Sequence, residues 1–97
     1  MSLTSKQKRY LRSLAHKLKP VVMVGGAGIS EGVINETDSR LAHHELIKVR
    51  VTGMERKARD AMSARLAAAT GSELVNTIGH IAILYRRSKK PQIKLPS

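Results

Sequence analysis

Three glycines fall within four positions at Gly25, Gly26 and Gly28, after the apolar run Val21–Val24 and just before Ser30 and Glu31. Backbone amides without side chains can approach a phosphate closely, so a glycine turn between a strand and a helix suits three tasks. It can cradle a dinucleotide pyrophosphate, hold a nucleic-acid backbone, or turn a corner through positive φ. The dinucleotide fingerprint needs G-x-G-x-x-G. Counted from Gly26, its third glycine would stand where Glu31 is, and Gly32 comes one residue late. On a helix that slip turns the side chain by about 100° and removes the close helix–strand contact. The acid expected about 20 residues on would be Glu45, which precedes the second predicted strand instead of ending it. No lysine follows these glycines as a nucleotide P-loop requires. Two readings remain, a plain corner and a G-x-x-G clamp from Gly25 to Gly28; such loops grip about four nucleotides in one class of RNA-binding domain. Backbone N–H groups at the start of the helix after Ser30 would add an anion site beside the clamp.

Other chemistry is thinner. His43, His44 and Glu45 are adjacent, so on a helix or strand they do not converge on one ion, and no H-x-x-x-H partner accompanies them. Ser30 lacks the G-x-S-x-G surround of a nucleophile elbow, and no catalytic triad is legible. Neither an enzyme, nor a metal, nor a cofactor, nor a small-molecule substrate is expected. His80 is expected in the hairpin turn, where it could touch phosphate alongside Arg86 and Arg87. There is no cysteine, hence no disulfide frame.

Charge is the strongest signal. Eighteen Lys and Arg against seven Asp and Glu leave the 97 residues at +11. Lys6, Lys8, Arg9, Arg12, Lys17 and Lys19 face no acid in the first twenty residues. Residues 48–65 and 86–97 are also basic, whereas residues 21–47 are mildly acidic. A small domain so charged faces a polyanion, most often nucleic acid. Phe and Trp are absent and only Tyr10 and Tyr85 are aromatic, both expected at the core edge. Recognition through phosphate, 2′-OH and shape is therefore expected, with modest sequence preference. The apolar runs are too short to span a bilayer, the opening residues do not read as a leader, and the cytoplasm is the expected location.

These residues need a frame. Thr4 and Gln7 fit a capping box that opens a helix from about Ser5 to Leu18, with Leu11, Leu14, Ala15 and Leu18 inward, cations outward, and Pro20 as its stop. Val21–Val24 reads as a strand. Ser30 caps a second helix to about Ala42, with Ile29 and Ile34 as a hydrophobic staple and Val33, Ile34, Thr37 and Leu41 buried. Glu45–Val51 alternates, Ile47, Val49 and Val51 against Leu46, Lys48 and Arg50, as a strand with a basic outer side. A third helix from about Met54 to Thr70 would bury Met54, Ala58, Ala61, Met62, Leu66 and Ala69, and Gly71 would end it. Leu74–Ile78 and Ile81–Arg86 form a hairpin turning at Gly79 and His80. The expected fold is α/β, an α+β sandwich of order αβαβαββ, with a four-stranded mixed sheet packed against three helices. Residues 1–87 make one domain, and residues 88–97 a basic, extended or mobile tail.

The succession LRSLAHKLKPVVMVGGAGISEGVI, HHELIKVRV and ELVNTIGHIAILYRR resembles the CRM domain (chloroplast RNA splicing and ribosome maturation) in its stand-alone bacterial form, the YhbY family. The likeness runs from about Leu3 to Arg87, with the motifs in family order. It implies an RNA-binding αβαβαββ domain similar to the C-terminal domain of bacterial translation initiation factor three. It also implies a G-x-x-G loop, here Gly25, Gly26, Ala27 and Gly28, and rRNA in precursors of the large ribosomal subunit as partner. Many plant members carry a lysine inside that loop; here Gly26 and Ala27 stand there, so charge must come from neighbouring elements. The expected contact surface is therefore the loop with Lys6, Lys8, Arg9, Arg12, Lys17, Lys48, Arg50, Arg86 and Arg87. Two other readings fit a basic module: an adaptor docking on acidic or ribosomal proteins, and a DNA-binding domain.

Overall fold

In the computed structural model, which describes residues 2–97, the first helix opens on a reciprocal cap. The Thr4 hydroxyl oxygen accepts from the Gln7 N–H at 3.1 Å, and the Gln7 side chain accepts from the Thr4 N–H at 3.0 Å. Helix α1 (Ser5–Ala15) leads to β1 (Pro20–Val24), α2 (Glu31–His44), β2 (Leu46–Val51), α3 (Arg56–Thr70), β3 (Glu73–Ile78) and β4 (Ile81–Tyr85). This is the αβαβαββ order expected. The sheet runs β1-β2-β4-β3; β1 and β2 are parallel, while β4 is antiparallel to both β2 and β3. A parallel neighbour needs a crossover, which α2 supplies.

Period-two alternation divides the sheet between two cores. Val22, Val24, Ile47, Val49, Val51, Ala82 and Leu84 face α2 and α3 and meet Leu41, Leu66 and Ala67. Leu46, Val75, Ile83 and Tyr85 face the other way and are covered by Leu11 and Ala15 of α1. The molecule thus has three layers, with α1 alone on one side. Burying a large aliphatic side chain contributes about 1.5–3 kcal/mol, so both cores matter to a chain of this length.

Three sequence expectations are corrected. α1 ends at Ala15, three residues before Leu18 and well before Pro20. Pro20 already pairs with Lys48 in the sheet, so the chain must be extended by then, and residues 16–19 make the turn. Leu14 and Leu18 consequently stay 37% and 39% exposed. The core face of α3 is partly as expected: Met62 and Leu66, with Met54 just before the helix, pack into the core, but Ser63, Ala67 and Thr70 are buried in place of Ala58, Ala61 and Ala69, which are exposed. Alanines weigh equally on either side of Leu66, and both hydroxyls satisfy themselves within the helix. Ser63 donates to the Arg59 carbonyl at 2.8 Å and Thr70 to the Leu66 carbonyl at 2.9 Å. The second face of β2 is not an open basic side throughout: Leu46 is the seat of α1, Lys48 is half-buried and only Arg50 is exposed.

Candidate nucleic-acid interface

The glycine loop follows directly on β1. The Gly28 N–H donates to the Gly25 carbonyl at 3.0 Å, which closes a tight turn, and Gly28 takes φ +84°. Gly26 lies backbone to backbone against Gly53 in the β2–α3 loop. A β-carbon on Gly53 would stand 2.8 Å from the Gly26 nitrogen, and one on Gly26 would stand 3.2 Å from the Gly53 oxygen. Beside them the Thr52 N–H donates to the Val24 carbonyl at 2.8 Å. Gly25 has open space where its side chain would be. The glycines therefore divide: Gly26 and Gly28 answer to the fold, and Gly25 leaves backbone open to solvent. The anion site expected at the start of α2 is partly spent, because the Ser30 hydroxyl accepts from the Val33 N–H at 3.2 Å and Glu31 stands in the first turn.

Beyond the loop, α1 and the sheet form a groove of about 610 Å³ lined by Arg9, Arg12, Ser13, His16, Lys48 and Asn76, with Ile78 and Ile83 as its floor. None of these residues is acidic. Lys48 donates to the His16 carbonyl at 3.4 Å, which places an ammonium, with Arg12 in the last turn, at the negative end of the α1 dipole. Two residues along β2 comes Arg50, exposed on the same face and paired with Met23, the second residue before Gly25. Arg9, Arg12 and Lys48 thus share the groove, and Arg50 lies between Lys48 and the loop end of β2.

The remaining expected residues lie elsewhere. Lys6 and Lys8 are exposed on α1, one turn before Arg9 and Arg12 respectively, but neither lines the groove, and Lys17 is exposed in the turn that follows the helix. Ala27 sits exposed in the loop. Arg86 and Arg87 follow β4 at the far end of the sheet, about 17–20 Å along the chain direction from Ile81, the partner of Arg50. Arg86 is bound to Asp38 of α2, and donates to the Thr70 carbonyl of α3 at 2.8 Å, tying the two helices together. Arg87 is exposed beside Tyr85 and the tail. The sequence reading missed His16, Ser13 and Asn76, which needed the seating of α1 on the sheet. It also missed Met23 and Ile78, apolar residues left 63% and 55% exposed.

The tail folds back at that far end. Glu45 caps α2 with φ 62° and is buried. One carboxylate oxygen accepts from the Ser88 N–H (2.8 Å) and hydroxyl (2.9 Å), and the other from the N–H groups of Gln92 (2.7 Å) and Ile93 (2.8 Å). Burial works to raise the carboxyl's pKa, but these donors outweigh it and hold it below the ordinary value. Burial, with the Glu45 charge beside it, pushes the Tyr85 hydroxyl up. Ile93 and Leu95 pack under α1, and the Gln7 amide donates to the Pro96 carbonyl at 3.0 Å. Lys89, Lys90 and Lys94 remain exposed. His43 and His44 are exposed on α2, their rings 6.4 Å apart. Among the described residues no three His, Asp or Glu side chains gather as metal ligands would, and no helix is long and apolar enough to cross a membrane.

Comparison with known proteins places this geometry. The chain is 47% identical to an "RNA-binding protein" of Haemophilus influenzae over 98% of its own length and 96% of the relative's. It is 41% identical to "Probable RNA-binding protein YqeI" of Bacillus subtilis over 97% of this chain and 99% of that one. A maize chloroplastic group IIA intron splicing facilitator, CRS1, shares 31% identity over 87% of this chain, which spans 12% of that longer protein. The solution structure of a hypothetical protein from Staphylococcus aureus superposes with a TM-score of 0.87 at 45% identity, covering 98% of this chain and 100% of that one. The model of the CRS1 / YhbY (CRM) domain matches residues 3–86, and the chain belongs to that family.

Proposed function

We propose that this protein binds RNA, without catalysis, through the glycine loop and the adjoining basic groove, and that it acts in the cytoplasm on precursors of the large ribosomal subunit. The observation that carries the reading is the convergence of Arg9, Arg12, His16 and Lys48, from two elements far apart in sequence, on one groove, with Arg50 two residues further along β2 and paired with Met23 just before the glycine loop. In this reading Gly25 admits the sugar–phosphate backbone, and the cations neutralise phosphates on either side of it. The related proteins named for RNA binding support it.

The test uses Gly25, where an added side chain meets no neighbour. Gly25→Asp is expected to weaken binding of structured rRNA fragments roughly tenfold by charge and bulk at the backbone contact, with the circular-dichroism spectrum and melting temperature unchanged. Unchanged affinity would make the loop only a corner. Sedimentation of cell extract on a sucrose gradient is expected to place the protein with particles lighter than the mature large subunit. Retained binding to RNA-stripped ribosomal proteins, undisturbed by free RNA, would instead support an adaptor. Equal competition by DNA of the same sequence would support a DNA-binding module.

A further inference from the structure

The strand registers align four side chains in one row across the whole sheet. Met23 of β1 pairs with Arg50 of β2, Arg50 with Ile81 of β4, and Ile81 with Ile78 of β3. Their sequence neighbours Val22 and Val24, Val49 and Val51, and Ala82 face α2 and α3, so the row faces the α1 side. Helix α1 covers it only in part: Leu11 and Ala15 cover Leu46, Ile83, Tyr85 and Val75 nearer the other end, Ile81 packs against that cluster, and Ile78 lines the groove beside α1. Met23 and Ile78 are therefore 63% and 55% exposed, Arg50 is exposed and Ile81 half-buried. At about 4.8 Å per strand the row is about 15 Å long. Lone exposed apolar residues need no explanation, but here three share one line with a guanidinium set among them.

We infer that this row is a platform for unpaired RNA bases, so that the ligand class of the interface is RNA with single-stranded or looped nucleotides and not uniform duplex. The inference rests on the proposed RNA-binding role and narrows it. Phosphates gain nothing from methionine and isoleucine side chains, whereas a base presents an apolar face that they and the plane of Arg50 can cover. Four-stranded sheets elsewhere stack two or three bases in this way with aromatic residues; here aliphatic side chains and one guanidinium take their place. Phosphates of the same strand have receptors one row away at Lys48 and Arg12 and beyond Met23 at Gly25. A protein partner would have to accept a surface whose charged members, Arg9, Arg12, Lys48 and Arg50, are all cationic. A nucleotide strand supplies an anion beside every base.

The experiment titrates three probes at one salt concentration: a short single-stranded RNA, the same sequence as a perfect duplex, and a hairpin with a large loop. The wild-type protein is expected to prefer the single strand and the loop. Met23→Ser, at an exposed position outside the groove, should weaken those two roughly tenfold, the scale of losing one stacked base, and leave duplex affinity and the salt slope unchanged. Arg50→Lys, which keeps the charge and loses the plane, should shift in the same direction. An equal loss on duplex, or no loss on any RNA with binding to RNA-stripped ribosomal proteins abolished, would overturn the platform. Failure of the wild-type protein to bind any of the three would instead overturn the RNA-binding role itself.

Discussion

Glu45 does three things at one position: it ends α2 with positive φ, accepts the Arg86 N–H on its carbonyl, and clamps the tail through four donors to its carboxylate. Its native pKa lies below the ordinary 4.5, so the unfolded chain takes up the proton more readily than the folded one. The clamp's contribution is thus present in full above the ordinary value and lost as pH falls through the lower native one. Glu45→Gln is expected to cost about 2 kcal/mol at pH 7, the scale of hydrogen bonds to a charged group. It should also flatten the acid limb of the stability curve; urea melts at several pH values check both. Nothing in the letters HHELIK separates a clamp from a strand start, because its partners lie more than forty residues away. Gly53 makes a sharper case. Gly53→Ala adds a β-carbon 2.8 Å from backbone at φ +78°, and is expected to cost about 2 kcal/mol or more. Gly25→Ala should change stability by less than about 0.5 kcal/mol.

At the scale of elements, caps and breakers were legible. Thr4 with Gln7, Ser30, and Gly71 act where the sequence places them, because each works through partners within a few residues. The phase of α3 was only partly so, since its alanines carry too little area to fix a face and its buried hydroxyls read as surface. The two phases give opposite outcomes. Ala67→Glu, at a buried position, is expected to cost about 3 kcal/mol or more, whereas Ala61→Glu, exposed, should stay within about 0.5 kcal/mol. Denaturant midpoints of the two variants decide between them. The end of α1 follows the same logic: Pro20 announced a stop, but where the helix ends depends on how early β1 must be extended to pair with β2.

Over the whole molecule, a net charge of +11 predicts a polyanion without saying which cations meet it. The topology sorts them. Arg9, Arg12, Lys48 and Arg50 gather near the loop end of the sheet, while Arg86 and Arg87 emerge at the other end. Arg12→Ala is accordingly expected to lower RNA affinity and to reduce the slope of log affinity against log salt by about 1. Arg86→Ala should leave that slope unchanged and instead lower the melting temperature by about 4–8 °C, through the tie to Asp38 and Thr70. Titrations across a salt series, with thermal melts of both variants, read the difference. The cross-strand row of Met23, Arg50, Ile81 and Ile78 was invisible in sequence for a related reason. Each residue sits in its own strand, and only register brings them into line.

The contact of Gly26 with Gly53 joins two loops separated by a helix and a strand. Because neither backbone can yield to a side chain on the other, the two positions form a single unit of inheritance. Among related chains a residue larger than glycine at one should arise only with a compensating shift at the other, so the pair should covary more strongly than either does with its neighbours in sequence.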